Sequence, residues 1–228
     1  MLAYFLKVNV AIVLFYAFYR LFFYKDTFFG WRRMVLLCFF AISAAVPLLN
    51  IQTWITEQEP MVAMADLYAS VVLPEFTITK STTDWKSIIL EYASIAYWGI
   101  VILLAWRFII QLISIIRLAC RCRKVQIGGT NIFLLPKAGG PFSFFHWIFI
   151  CPSSHTEEEV NEILTHEQTH ARQWHSIDVI VSELACILCW FNPFAWLMKR
   201  EIRTNLEYMA DAHVLKTAMT PKPISIIC

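Results

Sequence analysis

Charge is what this chain has least of. Only 16% of its 228 residues are Asp, Glu, Lys or Arg, against about 25% in an average soluble domain. The two signs nearly cancel: 19 Lys and Arg against 17 Asp and Glu leave a formal charge of +2. The basic residues lie beside apolar runs, so this balance gives no case for a nucleic-acid partner, and none is expected. No internal repeat and no low-complexity tract appears, which sets aside a repeat architecture. Seven cysteines are present, but Cys186-x-x-Cys189 has no His or acidic cluster beside it. Cys120-x-Cys122 is equally bland, and reduced thiols are expected throughout.

What is abundant is apolar. The chain is 58% hydrophobic with 18 Phe and 9 Trp, and its mean hydropathy is +0.57. This composition reads as a mainly α membrane protein. Three transmembrane helices can be placed, at about 2–23, 28–49 and 90–116. The first has its basic residues towards the wrong end for a signal peptide, and no small-residue cleavage site follows. The second is extended back towards Phe28 with Arg32 and Arg33 snorkelling. Arg107 lies inside the third and either snorkels or marks its inner boundary.

Loop charge sets the orientation. Lys25 lies between the first two spans, with Arg32 and Arg33 at the start of the second; Arg117, Arg121, Arg123 and Lys124 follow the third. The acidic loop at about 50–87 lies between the second and third. The basic segments are read as cytoplasmic, which places the N-terminus and the acidic loop outside. Residues 1–124 then form the transmembrane region and 125–228 a cytoplasmic domain.

Within that domain stands His166-Glu167-Gln168-Thr169-His170. On a helix, positions four apart share a face. Two imidazoles so placed can hold one Zn²⁺, and the Glu after the first can take a proton from a water there. The motif has its own helix start. Thr156 followed three residues later by Glu159 is a capping box, and the acidic Glu157 and Glu158 suit the positive end of the helix dipole. The helix is predicted over about 157–175.

A third ligand is required, and the best candidate is Glu207 in Asn205-Leu206-Glu207-Tyr208-Met209-Ala210-Asp211. Asp211 shares its helix face and can accept the free N–H of a ligand His. An E-x-x-x-D pair alone is ordinarily a solvated acidic face; its apolar neighbours and the upstream motif favour the metal. Asp178, eight residues beyond His170, is a candidate support for a ligand. His213 is a candidate oxyanion donor, whereas His175, His146 and His155 read as structural or ordinary loop residues.

These motifs, with Trp190-Phe191-Asn192-Pro193-Phe194 and the strand-like Pro141-Phe142-Ser143-Phe144-Phe145, resemble the BlaR/MecR-type membrane metallopeptidases. That resemblance implies a gluzincin, with zinc held by His166, His170 and Glu207, Glu167 as general base and Asp211 in support. It further implies a protein or peptide substrate inside the cell, such as a transcriptional repressor, cut in response to an outside signal at the bacterial inner (cytoplasmic) membrane. Family members continue with more cytoplasmic structure, a further span and an outside sensor domain. The chain ends at Cys228, so the peptidase domain is expected to be C-terminally truncated. The oligomeric state, the ligand and the substrate are not legible.

The apolar stretch 177–198 looks like a fourth span, but His170 and Glu207 must reach one metal. Asn192-Pro193 is expected to fold it into a helical hairpin, buried in protein or dipping into the inner leaflet. Two or three short strands are expected over 125–151, giving the domain an α+β character. Whether their edge binds substrate by strand addition or is a merely structural hairpin stays open. Two other functions also stay open: a non-enzymatic membrane transducer or scaffold, and a housekeeping quality-control protease.

Overall fold

A computed structural model describes residues 2–48, 85–127, 130–136, 139–152 and 156–219. The acidic loop expected at about 50–87 lies almost wholly outside these residues, as do Gly128-Gly129, His155 and the segment after Met219. The described chain is mainly helical with one small sheet.

Helix α1 spans Leu2–Phe22, α2 Phe29–Ala45 and α3 Trp85–Arg121. Two of these, over Tyr4–Phe22 and Ile88–Arg121, are long and apolar enough to cross a membrane. At about 1.5 Å per residue, the 17 residues of α2 span about 25 Å. That is short of the roughly 30 Å hydrocarbon core, because the helix ends at Ala45 and a 3₁₀ turn over Val46–Leu48 follows.

Residues 123–150 form four strands: β1 Arg123–Ile127, β2 Thr130–Leu134, β3 Phe142–Phe144 and β4 Trp147–Ile150. Their order in the sheet is β1-β2-β4-β3. β1 and β2 are an antiparallel hairpin, β2 and β4 run parallel, and β3 pairs antiparallel with β4. The segment 142–151 is thus a tight hairpin rather than a single strand, since Phe145 takes a positive φ of 50° and reverses the chain. Phe149 stacks between Phe142 and Phe133, at 4.5 and 5.1 Å. With Ala119 and Ile115 this cluster fastens the sheet to the end of α3.

Helix α4 spans Glu157–Arg172. Its start is the expected capping box: the Glu159 amide donates to Thr156 Oγ1, and the Thr156 amide donates to Glu159 Oε2. The helix does not continue to 175. Trp174 enters the left-handed region and a new helix, α5, runs over His175–Leu188. After a break at 189–192, α6 spans Pro193–Met219. Asn192 makes that break. Its Oδ1 accepts from the Phe194 amide at 3.0 Å, while Pro193 occupies the first helical position, where no N–H is needed.

The hairpin of α5 and α6 packs against α1 and α2. Ile12, Tyr19, Leu36, Cys186, Met198 and Ile202 share one core, each at most 2% exposed. The hairpin tip reaches far along α1, where Asn192 Nδ2 donates to Asn9 Oδ1 at 2.9 Å. Glu183 on α5 pairs with Lys199 on α6 and holds the two arms together. These contacts bring α6 back across α4, where the functional side chains meet.

Candidate metal centre

Helix α4 supplies two imidazoles one turn apart, and their Nε2 atoms are 3.1 Å from each other. Helix α6 supplies the Glu207 carboxylate, with Oε2 3.4 Å from His166 Nε2 and 3.8 Å from His170 Nε2. One ligand atom from each residue lies within 4.8 Å of the others. Ligands about 2.0–2.1 Å from a tetrahedral zinc lie about 3.3 Å from one another, so the three fit a single small cation.

The donor set itself tests that fit. Asp211, one turn beyond Glu207, places Oδ1 3.1 Å from His166 Nδ1. A carboxylate accepts only, so Nδ1 carries the proton and the Nε2 lone pair faces His170 and Glu207. The Nδ1 of His170 is likewise occupied, 2.8 Å from Nδ1 of His175. With His166 neutral, two ring lone pairs and a carboxylate converge on one point. A metal cation satisfies that arrangement, and without one a proton on His166 Nε2 shared with Glu207 does so.

Burial and charge shape each group. Burial raises the pKa of Glu167 above the ordinary carboxylate range; a hydrogen bond from Ser143 and the nearby His166 pull the other way. A hydrogen bond to Glu207 raises the pKa of His166 and lowers that of Glu207. Burial lowers His170. His175 is pushed down to about 3, first by burial and then by the His170 and Arg33 charges, so this ring is neutral at physiological pH.

His166, Glu167 and His170 open onto a cavity of about 570 Å³. Strand β3 forms one wall through Phe142, Ser143 and Phe144; α3 contributes Phe108 and Leu112, α5 Val179, and α6 Arg203 and Glu207. β3 is an edge of the sheet, and it runs beside the helix that carries the two imidazoles. One side of the space is thus a strand edge, and aromatic and aliphatic side chains make up much of the rest of its lining.

Three residues sit elsewhere than the sequence pattern implied. Asp178 does not face a ligand imidazole. The helical spacing from His170 is interrupted at Trp174, and Asp178 instead binds Arg33 through Oδ2 at 2.6 Å and Oδ1 at 3.0 Å. His213 is exposed on α6 and lines grooves beside Thr169 and Gln173, away from the cavity. Six positions beyond Glu207, a helix has turned to another face, so this position offers nothing to an oxyanion. His175, which the spacing set aside, is the residue that touches His170. The break in the helix brings it there, and Gln173-Trp174 carries no Gly or Pro to announce one.

Residues 146–222 match the family model described as BlaR1 peptidase M56. The matched segment contains His166, Glu167, His170, Glu207 and Asp211. Among curated proteins, Regulatory protein BlaR1 of Bacillus licheniformis is 32% identical over 68 residues, which are 28% of this chain and 11% of that protein. The resemblance to the BlaR/MecR-type peptidases therefore holds over the segment that carries the converging donors, and the match spans a small part of that relative's length.

Proposed function

We propose, from a chain whose residues 146–222 match the BlaR1 peptidase family, that this protein is a membrane-embedded zinc endopeptidase of the gluzincin type. His166, His170 and Glu207 are the ligands and Glu167 is the general base. The observation that carries the reading is the convergence of three acceptors within 4.8 Å, beside a buried glutamate and a strand edge. Bound zinc would supply Lewis-acid activation of water and of the scissile carbonyl.

The chain's own residues supply the rest. An extended substrate segment lies along β3, whose edge offers main-chain hydrogen bonds. Phe108, Leu112 and Val179 exclude water and receive apolar side chains. Glu167, held by Ser143, takes a proton from the attacking water and passes it to the leaving amine. Its raised pKa suits both halves of that transfer, since a base works best with a pKa near the working pH. Asp211 and His175 hold the two imidazoles with their Nε2 atoms inward.

We place residues 1–124 in and about the bacterial inner membrane with α1, α2 and α3 as spans, and 125–228 as the cytoplasmic peptidase domain. The loop-charge asymmetry supports this orientation. The substrate is a protein on the cytoplasmic side, and the likeness to a protein named as regulatory favours signalling over housekeeping. An intact base argues against a purely structural metal site. The test is cleavage of an unstructured protein such as casein by the purified chain in lipid nanodiscs. Wild type should cut and Glu167→Gln should not; equal cleavage by both would refute the assignment.

A further inference from the structure

The orientation of His170 depends on a turn, and the turn is held from a distant part of the chain. Between α4 and α5 the backbone passes through Gln173 and Trp174, with Trp174 at φ 56° and ψ 34°. A bulky residue holds that conformation only where its surroundings over-determine it. Arg33, in the second turn of α2, is the surrounding group that reaches both sides. Its Nη2 donates to the Gln173 carbonyl at 2.9 Å. Its Nε and Nη2 grip the buried Asp178 carboxylate as a fork, at 2.6 and 3.0 Å. One guanidinium thus joins the residue before Trp174 to the first turn of α5. A lysine, as a single point charge, has no such fork.

The turn carries a directed chain of hydrogen bonds. His175 Nε2 lies 3.1 Å from Gln173 Oε1, and an amide oxygen only accepts, so that nitrogen holds the proton. His175 Nδ1 is then the acceptor, and His170 Nδ1, 2.8 Å away, must donate. The proton of His170 is thereby fixed on Nδ1. Its Nε2 keeps the lone pair, and this is the nitrogen that faces His166 and Glu207.

We propose that Arg33 is a positioning residue for His170: by clamping the 173–178 turn it fixes, through Gln173 and His175, the ring orientation and tautomer that aim Nε2 at the metal. The proposal rests on the metal reading above. It ties a metal ligand to helix α2, so a displacement of α2 against α5 loosens one ligand of the site.

The experiment uses the full chain in nanodiscs, loaded with Zn²⁺ alone for affinity by chelator competition, or with Co²⁺ alone for its visible spectrum. Arg33→Ala and Gln173→Ala should each weaken zinc binding about 10–100-fold, the range for groups that orient a ligand imidazole, and each should shift the cobalt bands. The double variant should bind no more weakly than the worse single one, because both act on one chain of bonds. Gln173→Glu keeps the acceptor and should match wild type. Arg20→Ala, which removes an α1–α6 ion pair remote from the turn, should change neither readout. Should Arg33→Ala not fold, Arg33→Lys keeps the charge, loses the fork and should show the same spectral shift. A folded Arg33 variant with wild-type affinity and spectrum would overturn the proposal. A wild-type chain that binds no zinc would instead overturn the metal reading beneath it.

Discussion

Glu167 and Glu207 are both carboxylates beside the same two imidazoles, yet their surroundings give them different work. Glu167 is 7% exposed, hydrogen-bonded to Ser143, and more basic than an ordinary carboxylate. Glu207 is held ionised by His166 and points its Oε2 between both rings. Glu167→Gln should therefore retain zinc while lowering the turnover rate about 10²–10⁴-fold, measured by elemental analysis and cleavage kinetics on one preparation. Glu207→Ala removes a ligand and should lose both zinc and cleavage. Asp211→Ala removes only the acceptor of His166 Nδ1–H and should weaken zinc about 10–100-fold, read by chelator competition. Equal zinc affinity in Glu207→Ala and wild type would move the third ligand elsewhere. That His166 and His170 share one face, and Glu207 and Asp211 another, was legible because each four-residue spacing lies within one helix, α4 or α6. Asp178 and His175 were not, because the same spacing was carried across a break that depends on Arg33, 140 residues distant from Gln173.

The elements that build the site are two helices joined through a third. Thr156 and Asn192 mark where two of them begin, while the break at Trp174 divides what the sequence predicts as one helix over about 157–175. Asn192 is 4% exposed, caps α6 through the Phe194 amide and donates to Asn9 on α1. Replacing such a cap by alanine costs about 0.5–2 kcal/mol. Asn192→Ala should lower the thermal midpoint of the protein in nanodiscs and leave its zinc content unchanged, since the cap lies about 22 Å along the helix from Glu207. Asn9 stands 13 residues before Phe22, about 20 Å along α1, so the hairpin of α5 and α6 runs beside α1 for much of its length. This agrees with a hairpin and disfavours a separate crossing. Strands at 125–151 were legible from their turn residues, but two or three were expected and four form, because Phe145 reverses the chain between Phe142–Phe144 and Trp147–Ile150. Their order was not, because the parallel pairing of β2 with β4 is a long-range choice that no local pattern encodes.

For the whole molecule, the proposed division at about residue 124 does not separate two cores. Ile202 and Leu206 on α6 share a core with Val8 and Ile12 on α1 and Leu36 on α2. The ion pair of Arg33 with the buried Asp178 crosses the same boundary, and removing one partner of such a pair costs about 3–5 kcal/mol. The proposed orientation, based on the positive-inside rule, predicts that a reporter active only outside is active when fused after Thr82 and silent when fused after Lys137. The reverse pattern would put the converging donors outside the cell.

The central claim is that His166 and His170 hold one zinc together with Glu207, and zinc content measures it most directly. The full chain, purified in nanodiscs and freed of loosely bound metal, should carry about one zinc per chain by elemental analysis, and so should Glu167→Gln. The double variant His166→Ala with His170→Ala should carry essentially none. Full occupancy in that double variant would contradict the account.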